Sequence, residues 1–243
     1  MDFALLLTST IALAGGIPLT LLLTFASLLA GFVLAVPLAF MRASPRRRFS
    51  LPVLAYTYVF RGTPLLVQLF IIYYGLGQIS AIRASVFWLL LRDPFWCGLF
   101  AFSLNSAAYT TEIFRGGIQA VSTGAIEAAK AVGMSPLQIK RRIVFPIAFR
   151  SVLPSYANEV ISLVKATSLA STVTLLEITG LSRKLVSETF APYEIFIAAG
   201  VLYLALTFLL TGFFNALEAR LNDAPPVKTR PRLLNLQQVP DEQ

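Results

Sequence analysis

Apolar residues run along this chain in blocks too long for a soluble fold. No charged residue falls between Asp2 and Arg42, between Arg61 and Arg83, between Asp93 and Glu112, or between Glu194 and Glu218. A helix needs about 20 apolar residues to cross about 30 Å of hydrocarbon, and each block is on that scale. Helices on a soluble surface keep a polar face, which these blocks lack. The pattern predicts an all-α integral membrane protein with about five transmembrane helices, near 17–41, 52–76, 95–114, 147–170 and 193–217. Pro18 sits in the first turn of the first span, where a missing N–H costs nothing. Residues 1–14 read as a short interfacial or half-inserted helix ending at Gly15-Gly16. Residues 77–94 read as an external loop, and 175–192 as an external segment with a re-entrant path left open. Residues 1–221 make one transmembrane domain, and 222–243, basic and carrying Pro225-Pro226, read as a disordered tail.

Composition agrees: 56% of residues are hydrophobic and 13% charged, where a soluble domain carries about 25% charged residues. The formal charge of +8 changes the picture only through its placement. With the N-terminus outside, 14 basic residues fall on the cytoplasmic side: Arg42 and Arg46 to Arg48, then Arg115, Lys130, Lys140 to Arg142 and Arg150, then Arg220, Lys228, Arg230 and Arg232. Four fall outside: Arg83, Arg92, Arg183 and Lys184. The positive-inside rule therefore sets a periplasmic N-terminus and a cytoplasmic C-terminus. No aromatic-interleaved basic face is present, which argues against nucleic acid as a partner. Cys97 is alone and no His occurs, so disulfides, His-based nucleophiles and His metal ligands are excluded; no catalytic or metal residue is assigned. The opening Met-Asp lacks a basic n-region, so no cleavable signal peptide is expected.

The basic stretch at about 119–146 contains GAIEAAKAVGMSPLQIKRRIVFP. Glu127 to Val132 is rich in Ala and forms a helix easily. Gly133 permits a sharp turn, and Ser135-Pro136 restarts a helix as cap and first-turn residue. A bent helical knob follows, which reads either as a docking element or as an amphipathic interfacial helix without a partner. The spacing resembles the EAA loop of bacterial ATP-driven importer permeases: Glu-Ala-Ala, three residues, Gly, nine residues, Ile, one residue and Leu-Pro, with Phe145 here in place of Leu. The resemblance implies a short cytoplasmic coupling helix that docks into a groove on an ATPase, with Glu127, Ala128, Ala129, Gly133, Ser135 and Pro136 carrying the contact.

Three further segments extend the likeness: Phe60-Arg61-Gly62-Thr63-Pro64-Leu65-Leu66-Val67-Gln68, Asn105 to Phe114, and Tyr156-Ala157-Asn158-Glu159-Val160. They are similar to polar amino-acid permeases, the HisM-type subunits of histidine/lysine/arginine and of octopine or nopaline importers. The similarity covers roughly residues 15–220. It implies the type I ABC importer permease fold in the bacterial inner membrane. It also implies an ABC ATPase dimer, a second permease subunit (HisQ-like, or another copy of this chain), and a periplasmic solute-binding protein. The chain has no G-x-x-x-x-G-K-[ST] loop, so ATP and Mg are expected on the partner ATPase, with no cofactor in this chain.

Polar residues inside the spans are the remaining candidates. A lone charge at the bilayer centre costs about 2.5–3.5 kcal/mol, so Arg61, Glu112, Glu159 and Lys165 must face protein, water or each other unless the cations snorkel. Asn105, Tyr109 and Glu112 share one helical face, lining either a cavity or a helix interface. Glu112 reads equally as a counter-charge for a cationic substrate or as the partner of Arg115. Thr63-Pro64 interrupts the second span and frees a backbone carbonyl. Thr167 and Ser168 suit either helix packing or ligand hydrogen bonds. The candidate substrate path is Thr63, Gln68, Asn105, Tyr109, Glu112, Lys165, Thr167 and Ser168; the candidate gate is Arg61 with Glu159, expected to meet within one subunit or across a dimer. The competing readings are a passive channel, a membrane scaffold, or an integral membrane enzyme using Ser162 and Lys165. Preference for an amino acid or opine rests on the resemblance alone.

Overall fold

A computed structural model describes residues 3–222, which are helical with no strand among them. The first long helix, α2 (Ile17–Arg42), follows a short α1 (Phe3–Ala14). The helix at the centre is α7 (Pro94–Ala120), reached through α3 (Arg47–Gly62), α4 (Leu65–Gln78), α5 (Ser80–Arg83) and α6 (Trp88–Leu91). The rest is α8 (Thr123–Ala131), α9 (Pro136–Val173), α10 (Ile178–Thr189) and α11 (Pro192–Asn222).

The packing inverts that of a soluble protein. The inner face of α2 is Thr20, Thr24, Ser27, Gly31, Ala35 and Ala39, all buried. Its outer face shows Leu22, Phe25, Leu29 and Val33. Hydrocarbon solvates large apolar side chains, so helices in it associate through small residues that let backbones close up. Gly31 marks the contact with α7: a Cβ there would lie 3.1 Å from the Ser103 carbonyl oxygen and 3.2 Å from the Ala107 nitrogen. The face of α7 against α2 is correspondingly small and polar, with Ser103, Ser106, Ala107 and Thr110 buried.

That polarity bears on the expected spans. By length and composition, Ile17–Arg42 and Pro192–Leu221 each suffice to cross alone, and two bent helix pairs suffice together. At 27 residues, α7 is long enough but too polar in composition, because its polar side chains face other helices rather than lipid. The expected interruption of the span at 52–76 falls at Thr63-Pro64, where α3 and α4 meet at 103°. The expected span at 147–170 is longer, running from Pro136 to Val173 and bending by 47° into α10. Most of the segment 175–192 is thus the helix α10.

Two contacts fix the end where α10 sits. The Glu177 carboxylate caps α10, accepting from the Thr179 and Gly180 nitrogens at 2.9 and 2.8 Å and from the Tyr203 hydroxyl at 2.6 Å. The start of α2 runs against this cap, where a Cβ on Gly16 would lie 2.6 Å from the Ile178 nitrogen, so only glycine fits. The short helix α1 packs on the bundle: Leu13 is fully buried in one cluster with Ile178, Ile195 and Ala198. The basic tail from residue 223 onward lies outside the described residues.

Candidate functional site

The break between α3 and α4 organises the site. Pro64 has no N–H, so the Phe60 carbonyl four residues back loses its helical partner. Two buried amides replace it. Gln68 Nε2 donates to the Phe60 carbonyl at 2.7 Å and to the Thr63 carbonyl and hydroxyl at 3.1 and 2.8 Å. Asn105 Nδ2, from α7, donates to the same Phe60 carbonyl at 3.2 Å and to Gln68 Oε1 at 3.0 Å. The Thr63 hydroxyl donates to the Val59 carbonyl at 2.8 Å. Three orphaned carbonyls are thus satisfied by side chains, which is what a broken helix at membrane depth requires.

The break opens onto a cavity of about 510 Å³ between α3, α7 and α9. Arg61, Thr63, Asn105, Tyr109 and Glu159 line it together with Ser162. The Arg61 guanidinium sits over the Tyr109 ring, 5.2 Å from its centroid, a cation–π contact. Glu159 reaches the same cavity from α9 as Arg61 does from α3. Among the described residues the ion pairs within 4.0 Å are two others, so Arg61 and Glu159 share a cavity without a closed salt bridge. Arg61, Gly62, Thr63 and Pro64 are all exposed. The cavity is therefore open on one side, with irregular backbone and a guanidinium at its rim.

Glu112 stands apart from this cavity. Its Oε1 accepts from Arg42 Nε at 3.1 Å and from the Thr57 hydroxyl at 3.1 Å, and its Oε2 accepts from Arg115 Nε at 2.5 Å. The carboxylate knots α2, α3 and α7 together. Of the two readings of Glu112, the geometry holds the pairing with Arg115, and the helical face Asn105–Tyr109–Glu112 divides between cavity and knot. Arg42 and Thr57 carried no local signal, since they lie 70 and 55 residues away in sequence.

Lys165, Thr167 and Ser168 do not line the cavity. Lys165 is exposed; Thr167 is buried and donates to the Val164 carbonyl at 2.7 Å; Ser168 donates to the Lys165 carbonyl at 2.6 Å. Ser162 lines the cavity without Lys165. Sequence reasoning missed the stapling of Phe60 by Gln68 and Asn105. Counting four residues back from Pro64 would have pointed to it.

At the basic end the EAA stretch forms the expected bent knob. Ser122 caps α8 through the Ala125 nitrogen at 3.4 Å. The helix ends in paired turns, Gly133 N–H to the Lys130 carbonyl at 3.0 Å and Met134 N–H to the Ala129 carbonyl at 3.1 Å, with Gly133 at φ +78°. This is a Schellman closure, which glycine adopts without penalty. Ser135 and Gln138 then form a reciprocal capping box around Pro136. Ala129 is buried against Val121, Ile139, Val144 and Ala148, which anchors the knob. Glu127, Ala128, Gly133, Ser135 and Pro136 are exposed, beside Val132 and Leu137 at 77% and 74% exposure. An apolar, helix-capped surface of this kind is shaped for a protein partner.

Residues 27–223 match the family described as binding-protein-dependent transport system inner membrane component. The nopaline transport system permease protein NocM of Agrobacterium fabrum is 50% identical over 223 residues, covering 91% of this chain and 92% of NocM. The histidine/lysine/arginine/ornithine transport system permease protein HisM of Escherichia coli is 39% identical over 206 residues, covering 84% of this chain and 87% of HisM. An amino acid ABC transporter crystallised with histidines has a chain 32% identical to this one with a TM-score of 0.78, covering 90% of this chain and 99% of that one.

Proposed function

Because the chain belongs to the family of binding-protein-dependent transport system inner membrane components, a multi-pass permease of an ABC importer working with an ATPase and a binding protein, we propose that the cavity around Arg61 and Glu159 is its half of a path for polar or cationic amino acids or opines. Its role is transport, not catalysis, as in the permeases it resembles. One observation carries the path: irregular backbone with a guanidinium is exposed at 61–64, inside a span. Lipid solvates an exposed guanidinium poorly, so this side meets water or a second permease subunit. A HisQ-like subunit is the favoured partner and a second copy of this chain the alternative. Within the path Arg61, Thr63, Asn105, Tyr109 and Glu159 face the solute, with Gln68 holding the break. ATP and Mg act on the partner ATPase.

Proteoliposomes holding the full transporter test this reading. The expected result is saturable uptake of at least one of arginine, histidine, octopine or nopaline that requires both ATP and the binding protein. Flux of these solutes without ATP would overturn it in favour of a passive channel.

The 14-to-4 distribution of basic residues supports an external N-terminus and a cytoplasmic knob. Ser187, in α10, and Thr123, in α8, are both exposed, whereas Ser182 is fully buried and unsuited to labelling. Native Cys97 is buried and should stay silent. In intact cells an impermeant thiol reagent is expected to modify Ser187→Cys and spare Thr123→Cys. Labelling of Thr123→Cys alone would reverse the topology.

A further inference from the structure

A second concavity, of about 690 Å³, lies at the basic end of the bundle, away from the Arg61–Glu159 cavity. Its walls are apolar, formed by Val36, Pro37 and Phe40 of α2, Phe49 of α3 and Phe145 of α9. Its rim carries Arg46, Lys140 and Arg141, and among the described residues no acidic one lines it. Among the described residues none of the three cations has an ion-pair partner within 4.0 Å. Lys140 Nζ is held over the Phe40 ring, 5.5 Å from its centroid, which keeps a positive charge at the apolar mouth. The π turn Lys140–Val144 carries both Lys140 and Arg141 at this rim. Such turns inside α-helices are frequent at functional sites.

The combination is specific. Apolar walls at the end of a spanning helix receive an acyl chain, and three unpaired cations above them receive a phosphate. A soluble anion would leave the walls unfilled, and a neutral lipid would leave the cations unpaired. We propose that this groove binds one anionic phospholipid, its phosphodiester among Arg46, Lys140 and Arg141 and one acyl chain along Val36, Pro37 and Phe40. The groove joins the end of α2 to the segment entering α9, just beyond the knob. The bound lipid therefore braces the coupling element against the bundle.

The test uses the assembled transporter in detergent, with phosphatidylglycerol and phosphatidylcholine of identical chains added and adducts resolved by native mass spectrometry. Phosphatidylglycerol is expected to bind at least tenfold more tightly. Removing the three cations together (Arg46→Gln, Lys140→Gln, Arg141→Gln) is expected to weaken it on the order of a hundredfold, at about tenfold or less per charge. Removing three exposed cations that do not line the groove (Arg47→Gln, Arg142→Gln, Arg150→Gln) is expected to weaken binding at least tenfold less than the groove variant does. Ser44→Trp, which fills the mouth and keeps every charge, is expected to abolish the preference. A large excess of inorganic phosphate is expected not to displace the lipid. Equal binding of the two lipids, equal loss in the two triple variants, or displacement by phosphate would each overturn the proposal. Loss of the adduct on adding the ATPase to the isolated permease would also overturn it, reassigning the groove to the protein interface.

Discussion

Gly133→Pro is expected to abolish ATP-dependent uptake while leaving the chain folded in the membrane at its normal level. Gly133 adopts φ +78°, and proline is locked near −65°. The substitution also removes the N–H that Gly133 donates to the Lys130 carbonyl. Both effects strike the closure of α8, and the turn cannot reform. The damage stays local, because Gly133 is exposed and a side chain there meets nothing within 4 Å. Gly133→Ala separates geometry from bulk: it faces the same positive φ with no clash, at about 1–2 kcal/mol, and should retain partial uptake. The exposed face should respond as a docking surface does. Truncating a hot-spot residue costs about 2 kcal/mol or more, so Val132→Asp with Leu137→Asp, which puts charge at the two most exposed apolar positions of the knob, is expected to reduce ATPase co-purification at least thirtyfold. Glu127→Lys reverses the charge on the same face and should act in the same direction. Normal ATPase recovery together with normal uptake in these variants would remove the knob from the coupling role.

How much of this was legible in the sequence depends on the range of the interaction. The knob was readable because its parts are neighbours: Gly133 closing one helix, and Ser135, Pro136 and Gln138 opening the next, are governed by local backbone chemistry. The break at Thr63-Pro64 was readable for the same reason, since proline acts on its own turn. Its angle of 103° was not, because Asn105 helps set it from 45 residues away in sequence. The Glu112 knot was half visible: Arg115 is one turn along the same helix, whereas Arg42 and Thr57 arrive only when three helices pack. The third span was visible as an uncharged block, yet its small polar residues diluted the hydropathy that marks a lipid-facing helix. The helix within 175–192 was not legible, because Glu177 caps α10 by a buried carboxylate that accepts from Tyr203, 26 residues on. Among the proposed path residues, those on the broken helix and on α7 converge on one cavity. Thr167 and Ser168, near the turn that ends α9, point their hydrogen bonds into their own helix, where hydroxyls commonly return to the preceding carbonyls, and Lys165 is exposed away from the cavity.

Breaking the Arg61–Glu159 relationship is expected to uncouple ATP hydrolysis from transport. The two side chains reach the same cavity from α3 and α9, and Arg61 is held open against Tyr109 rather than closed onto Glu159. The expected closing step brings the guanidinium off the ring and onto the carboxylate. Closing this path would expel water, and in a low dielectric the two charges attract far more strongly than in water. Glu159→Ala leaves Arg61 uncompensated in the closed state, where breaking a buried pair costs about 3–5 kcal/mol. The closed state is then depopulated, and substrate-independent ATP hydrolysis should rise on the order of tenfold or more, since each 1.4 kcal/mol is about a factor of ten. Uptake should fall by a similar factor. Arg61→Glu alone places two carboxylates in one cavity and should be at least as severe. The double exchange, Arg61→Glu with Glu159→Arg, restores the attraction but loses the stacking on Tyr109, so partial recovery of coupling is expected. Recovery in the exchange but not in either single variant identifies a charge pair. Normal coupled transport in all three would show that each charge serves its own water-filled surface and that the path closes elsewhere.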